Sequence, residues 1–142
     1  MKSFSTTIQI STTAEVVWKI LTNIQEWHQW NTTIDKIEGS IEPGAKVTVY
    51  AKVSPGRAFP LRVTELVTNK AMVWSGGIPL GLFTGERSYR LNYIDETTVE
   101  FTMNESFTGI IAPLITRSIP NLQPSFDEFA KCLKKHAESI VP

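Results

Sequence analysis

The sequence predicts an α+β fold in which one antiparallel sheet is covered by a long C-terminal helix. Six stretches between Ile34 and Thr108 are rich in β-branched and aromatic residues, and short turn signals separate them. Consecutive strands joined by short turns pair antiparallel. Further on, the apolar residues from Ile115 to Leu133 are spaced 4, 3, 4, 3, 4, which is a helical stripe. A sheet with one apolar face needs a cover, and this helix is the candidate.

Helix-capping signals predict two short helices after the first strand. Thr12 and Glu15 have the spacing of a capping box, which predicts a helix over residues 13–21. The same spacing recurs with Asn23 in the capping position. It predicts a second short helix over residues 24–30.

Alternation and composition together define seven strands. Turn signals between them include Gly76-Gly77 and the Asp95-Glu96-Thr97 segment. The strands are expected over Phe4–Ile10, Ile34–Glu38, Lys46–Val53, Phe59–Thr68, Met72–Trp74, Phe83–Tyr93 and Thr97–Thr108.

Prolines divide the C-terminal helical stripe. Pro113 suits the first turn of a helix. Pro120 and Pro124 do not suit a helix interior, because proline lacks the backbone N–H and clashes with the preceding turn. We therefore expect a break there and a firm helix from about Pro124 to about Glu138.

Composition indicates a single domain over residues 1–142 and gives no sign of a strongly charged partner. Of the 142 residues, 42% are hydrophobic and 20% charged. Lys plus Arg and Asp plus Glu both number 14, so the net charge gives no reason to expect nucleic acid or an anionic membrane as partner. No apolar run approaches the roughly 20 residues of a membrane span, so no integral membrane contact is expected. The start, MKSFSTTIQIS, lacks an apolar core of signal-peptide length. We expect a cytoplasmic monomer or weak dimer.

Two stretches resemble a known family. VVWKILTNIQEWHQWN is similar to a helix entered by Val-Trp and followed by Leu-Thr-Asp and Trp-Asn motifs. MVWSGG, GLFTGERSYRL and TVEFTMNESFTGIIAPL resemble a Leu-x-Trp strand, a Gly-Leu-Phe-x-Gly strand and a closing Glu-x-Phe-x-Gly strand. The whole chain resembles START-like, helix-grip proteins of the polyketide cyclase/dehydrase and lipid-transport type. It departs from them at Arg87, where many relatives carry histidine, and at the paired prolines, which interrupt a helix that is usually continuous.

The resemblance implies a curved sheet of about seven strands around the C-terminal helix, with a largely apolar cavity between them. It implies binding of a small apolar or amphipathic ligand there. A polyketide cyclase or dehydratase, or a protein-interaction module without a ligand, are the alternatives. No catalytic residue is assigned. The cavity candidates are Trp30, Phe59, Trp74, Phe83, Arg87, Tyr89, Phe101, Met103, Glu105, Phe107, Leu122 and Phe126.

Glu105 stands in the apolar row of its strand, and strand register supplies a partner. The inward residues of the last two strands all have odd numbers. With a three-residue hairpin loop, the residue numbers of two opposed positions add up to 192. Arg87 then faces Glu105. The pair is either a structural ion pair or a polar anchor for a ligand, with a general acid or base as a further alternative.

The remaining candidates have simpler interpretations. Trp27 and Trp30 are one helical turn apart, and such a pair is either core or the rim of a cavity. Cys132 and His136 have a possible metal-ligand spacing, but two ligands do not make a site. No glycine-rich phosphate loop is present. We expect neither a metal nor a cofactor.

Overall fold

The computed structural model describes residues 3–140 and contains one antiparallel sheet of seven strands. The sheet order is β1-β7-β6-β5-β4-β3-β2, so the first strand pairs with the last. The sheet curls around the C-terminal helix, and the predicted helix-grip fold class is confirmed. The strands are β1 Ser3–Ile10, β2 Ile34–Gly39, β3 Lys46–Ala51, β4 Phe59–Val67, β5 Ala71–Ile78, β6 Phe83–Asp95 and β7 Thr98–Thr108.

The helices lie between β1 and β2 and after β7. They are α1 Ala14–Thr22, a 3₁₀ helix Ile24–Gln29, α2 Ala112–Ile115, a 3₁₀ turn Thr116–Ser118 and α3 Gln123–Ser139. Proline stands in the first turn of both α2 and α3, as the missing N–H of proline permits. The expected break between Pro113 and Pro124 is confirmed. Phe126, Phe129 and Leu133 of α3 are buried against the sheet.

The predicted caps of the two short helices are wrong in detail. The residue that caps α1 is Thr13, whose side chain accepts a hydrogen bond from the N–H of Val16 at 3.4 Å. Thr12 is buried instead, because a tight turn leaves β1 directly before it and directs it inward. The side chain of Asn23 makes no capping bond, since its backbone carbonyl already receives the N–H of Glu26 in a 3₁₀ turn.

Strand β5 is longer than predicted, because Gly76 and Gly77 belong to it rather than to a turn. Both glycines pair with β6, and β5 ends at Ile78. A Cβ on Gly76 would lie 2.6 Å from the carbonyl oxygen of Pro60, so glycine allows the neighbouring strand to approach. The other predicted strand bounds agree with the structure to within about two residues.

The predicted β6–β7 register is confirmed, whereas the predicted hairpin loop is wrong. Arg87 lies opposite Glu105. The register shifts after Tyr93, and Asp95 pairs with Thr98, so a bulge and a two-residue loop replace the expected three-residue loop. Both arrangements leave the inward rows facing each other. The expected pairs Tyr89 with Met103 and Leu91 with Phe101 are also present.

An aromatic cluster fills one half of the space between the sheet and α3. Trp27, from the 3₁₀ helix, stacks on Trp74 of β5 at 5.7 Å between ring centroids. It also meets Phe129 of α3 at 5.4 Å and Tyr89 at 6.3 Å. Trp27 and Trp30 are both buried, so the core interpretation of this pair is confirmed. This cluster limits any cavity to the other half of the sheet.

Candidate functional site

A cavity of about 590 Å³ lies between the concave face of the sheet and the N-terminal part of α3. Its walls come from the start of β2, from strands β3 to β7, from the loop between β3 and β4, from α3 and from the segment that leads into it. The helix covers the sheet on one side only, and the aromatic cluster closes the far end. The cavity therefore opens at the end of the sheet where β4 and β6 begin and where β5 and β7 finish.

The predicted cavity residues divide into two groups. Four lie in the buried core and outside the cavity wall: Trp30, Trp74, Tyr89 and Phe101. The ring of Trp27 contacts the first three, and the ring of Phe129 contacts Phe101. The others lie in the wall: Phe59, Phe83, Arg87, Met103, Glu105, Phe107, Leu122 and Phe126. Binding of a ligand by the wall residues stays a prediction.

Sequence reasoning missed several aliphatic residues of the wall. Ile115 and Ile119 line the cavity beside Leu122, and they belong to the same helical stripe. The stripe could have identified them. Ile34, Val53 and Ile78 also line it, but they stand at or beyond strand ends, where alternation carries no signal.

Arg87 and Glu105 form the predicted ion pair in the cavity wall. Nη2 of Arg87 donates to Oε2 of Glu105 at 3.0 Å. Their side chains are only 21% and 11% exposed. The guanidinium also lies over the ring of Phe126, with Cζ 5.0 Å from the centroid. The contact is a single hydrogen bond rather than a bidentate one, so the pair keeps further donor and acceptor capacity for a ligand.

Burial and charge determine the protonation states beside the ion pair. Burial lowers the pKa of Arg87, but the carboxylate of Glu105 outweighs it and holds the pKa above its ordinary value. Burial raises the pKa of Tyr89 to about 12, although the charge of Arg87 opposes the rise. Neither Arg87 nor Tyr89 therefore changes its protonation state near neutral pH.

Three buried polar groups beside the ion pair lack a well-formed hydrogen bond within the protein, although Arg87 and Tyr89 lie close enough to interact. They are Nε of Arg87, the hydroxyl of Tyr89 and Nε1 of Trp74. Trp74 lies opposite Arg87 in the sheet, and its ring lies 4.8 Å from that of Tyr89. Of the three groups only Arg87 lies in the cavity wall, so its guanidinium is the donor that a ligand oxygen could reach.

The raised pKa of Tyr89 predicts a loss of stability at high pH. Above pH 10 the tyrosine ionises in the unfolded chain while it stays neutral in the fold, so the folded state binds more protons. We expect a loss of about 1.4 kcal/mol by pH 11, relative to a variant that cannot ionise there. Chemical denaturation at pH 8 and pH 11 measures it. Tyr89→Phe should abolish this part of the loss, and Tyr93→Phe, at an exposed tyrosine, should leave it unchanged.

Residues 3–140 contain neither a cluster of metal-ligand side chains nor a membrane-spanning helix. Between residues 3 and 140, no group of three or more His, Cys, Asp and Glu side chains is placed to hold a metal ion. His136 stacks on Trp30 at 6.1 Å, and Cys132 lies within 3.5 Å of Thr32 and Glu128. No helix in this part of the chain has both the length and the apolar character needed to cross a bilayer.

Comparison with known proteins supports the assignment of fold and family. The family model described as polyketide cyclase/dehydrase and lipid transport matches residues 1–138. No curated protein sequence matches the chain. Several solved structures share the fold at low sequence identity.

Three of these structures are the Zhui aromatase/cyclase from Streptomyces sp. R1128, a START superfamily protein from Mycobacterium smegmatis and the Aha1 dimer from Colwellia psychrerythraea. The first has a TM-score of 0.74 at 12% identity, covering 96% of this chain and 93% of its own. The second has a TM-score of 0.73 at 13% identity, covering 98% and 99%. The third has a TM-score of 0.70 at 21% identity, covering 97% of both chains. At these identities the likeness concerns the fold alone.

Proposed function

Because this chain belongs to the polyketide cyclase/dehydrase and lipid-transport family, we propose that it binds a small apolar or amphipathic ligand in the cavity between the sheet and α3. The observation that carries the proposal is an unfilled cavity of about 590 Å³ with one ion pair in its wall. Small-molecule sites usually measure about 300–1,000 Å³ and combine apolar walls with a few polar groups. The cavity between the sheet and α3 has both this size and this composition.

The walls define what the ligand should look like. Phe83 and Phe107 stack at 5.8 Å and present flat apolar surface, while Phe59 lies across the cavity from α3. An apolar or flat body would pack there. Arg87 and Glu105 would receive the polar end, with Arg87 donating to an oxygen and Glu105 accepting from a hydroxyl. The ion pair is thus proposed as an anchor that orients the ligand.

A cyclase or dehydratase acting on a polyketide-like substrate would use the same cavity and the same polar groups. Such chemistry needs a group whose protonation can change in the working pH range. Arg87 and Tyr89 keep their protonation states there, which favours binding over proton transfer. A ligand-free interaction module has less support, because the cavity is not filled by side chains.

Binding of a fluorescent apolar probe tests the proposal. N-phenyl-1-naphthylamine should bind with a dissociation constant in roughly the micromolar range, and fatty acids or flat aromatic acids should displace it. Emission of the probe is the appropriate readout, since Trp30 and Trp74 lie outside the cavity wall. Ile119→Trp should block the cavity and weaken binding at least about tenfold. Ile94→Trp, at an exposed position away from the cavity, should leave binding unchanged.

A paired substitution separates an anchor from a purely structural ion pair. Arg87→Met combined with Glu105→Leu replaces the pair by apolar groups of similar size. If the pair is an anchor, fatty acids should lose about tenfold or more in affinity while the apolar probe keeps its own. If the double variant bound both the fatty acid and the probe as tightly as the parent protein does, the pair would have only a structural role. The enzyme alternative would be favoured if the protein turned over a polyketide-like substrate and Glu105→Gln abolished this turnover without weakening binding.

A further inference from the structure

Exposed aliphatic side chains concentrate around the opening of the cavity. Leu80 is 92% exposed, Ile110 79% and Leu114 66%. The first lies in the β5–β6 turn and the others follow β7. The two segments are joined, because the N–H of Ile110 donates to the carbonyl of Gly81 at 3.2 Å. Together with the β3–β4 loop they form one surface, here called the mouth rim and consisting of residues 52–58, 78–82 and 109–120.

Folding does not explain the position of Leu80. Its backbone has a φ of 65°, the left-handed conformation that glycine and asparagine adopt more readily than leucine. Its side chain is almost fully in water, so packing does not compensate for the strain. A strained residue that presents an apolar side chain to solvent indicates a role outside the folded core.

The mouth rim is continuous with the cavity wall. Val53 and Ile78 are partly exposed at the rim and also line the cavity. Ile115 lines the cavity one residue after exposed Leu114. A ligand that enters from the rim therefore passes from exposed apolar side chains to apolar side chains of the cavity wall.

The rim also carries charge of a single sign. It contains Lys52, Arg57 and Arg117, all exposed, and no aspartate or glutamate. The chain as a whole is neutral, with 14 basic and 14 acidic residues. The opposite end of the sheet differs, because its exposed apolar residues, such as Tyr93, lie beside Asp95 and Glu96. The surface at the cavity opening thus combines exposed apolar side chains with basic residues and contains no acidic residue of its own.

We infer that the mouth rim docks on the surface of an anionic lipid bilayer, with Leu80, Ile110 and Leu114 entering the interface. Aliphatic insertion and attraction of basic residues to anionic lipid are the two contributions that hold peripheral proteins on membranes. The neutral total charge does not oppose this contact, since the field of a bilayer acts over about a Debye length and reaches the rim alone. The contact is peripheral and involves no spanning segment.

A second copy of the chain fits this surface less well. Two rims face to face would bring the cations of both copies together with no acidic partner, and like charges across an interface are unfavourable. An anionic bilayer supplies the missing negative charge. The inference depends on the proposed function in one respect only: the bilayer would be the reservoir from which a poorly soluble ligand enters the cavity.

Flotation of the intact protein with lipid vesicles tests the docking surface without any cavity ligand. Vesicles of equal parts phosphatidylcholine and phosphatidylglycerol should retain the protein at low salt. Pure phosphatidylcholine vesicles should bind it at least about tenfold more weakly, and high salt should weaken binding to the mixed vesicles.

Matched variants locate the contact. Leu80→Asn combined with Ile110→Ser should lower vesicle binding about tenfold or more, and asparagine suits the left-handed backbone at residue 80. Lys52→Gln combined with Arg117→Gln should reduce binding to anionic vesicles toward the level of neutral ones. The control is Val67→Ser combined with Tyr93→Ser, which removes exposed apolar groups from the opposite end and should change nothing.

Three outcomes would overturn the inference: no preference for anionic vesicles, an equal loss in the control variant, or a dimer that Leu80→Asn with Ile110→Ser dissociates in the absence of vesicle binding. The last would assign the rim to a second copy, and sedimentation velocity measures it. Binding of N-phenyl-1-naphthylamine by the same variants keeps the two proposals separate. Probe binding reports on the cavity alone. A variant can therefore bind the probe without binding vesicles, or bind vesicles without binding the probe.

Discussion

Replacing Phe129 with alanine is expected to lower the free energy of unfolding by about 3–5 kcal/mol. The side chain is 3% exposed and lies at the centre of the contact between α3 and the sheet. Its ring meets those of Trp27, Trp30, Tyr89 and Phe101 at centroid distances between 5.3 and 6.1 Å. Truncation removes apolar burial and leaves a cavity that four large rings cannot collapse to fill. Urea denaturation measures the loss.

Phe59→Ala is the matched control for this prediction. Phe59 is only half-buried, and it borders the cavity rather than the aromatic cluster. Its truncation should lower the free energy of unfolding by less than half as much, because little packed volume is lost. If Phe129→Ala cost less than about 1 kcal/mol, α3 would not be packed on the sheet through this residue.

Glu105→Ala is expected to lower the free energy of unfolding by about 2–4 kcal/mol. The substitution leaves the guanidinium of Arg87 largely buried in an apolar wall with its charge unpaired. Cavity solvent and the ring of Phe126 limit the loss, which is why we place it at the lower side of the range for buried pairs. Glu105→Gln should be milder, because the amide oxygen can still accept from Arg87.

Two further variants check the origin of this loss. Arg87→Met combined with Glu105→Leu should recover stability to within about 1 kcal/mol of the parent chain, since no charge is then left unpaired. Glu86→Ala removes an exposed carboxylate from the neighbouring position of β6 and should change stability by less than about 0.5 kcal/mol. A loss in Glu86→Ala equal to that in Glu105→Ala would mean that burial of the pair is not responsible.

The ion pair shows that local sequence patterns can predict a contact between two strands. Alternation assigned Arg87 and Glu105 to the inward rows of β6 and β7, and hairpin geometry placed them opposite each other. The bulge after Tyr93 was not predictable, yet it changed the loop length without changing which residues faced one another. The alternation of inward and outward residues thus predicts the facing pairs of a hairpin more reliably than the expected loop length does.

The ends of strands and the capping residues of helices could be identified only from the structure. Thr12 and Thr13 are equally good capping residues by type, and the turn out of β1 decides between them. Gly76-Gly77 is a turn signal in the sequence, but the neighbouring strand approaches so closely that only glycine fits within β5. In the first case the turn out of β1 selected one of two locally allowed caps, and in the second the close approach of β4 selected the strand conformation.

The sequence by itself determined the family through the resemblance of its motifs to those of known proteins. It also determined the order of strands and helices and the partner of Glu105, because these depend on periodicity and on neighbours along the chain. Only the tertiary structure decided which inward residues are core and which form a cavity wall. Trp74 and Met103 both belong to inward-facing rows of their strands, yet Trp27 from a distant helix covers the first and leaves the second open. A ring that packs from elsewhere in the chain leaves no mark on the pattern of the strand that it covers.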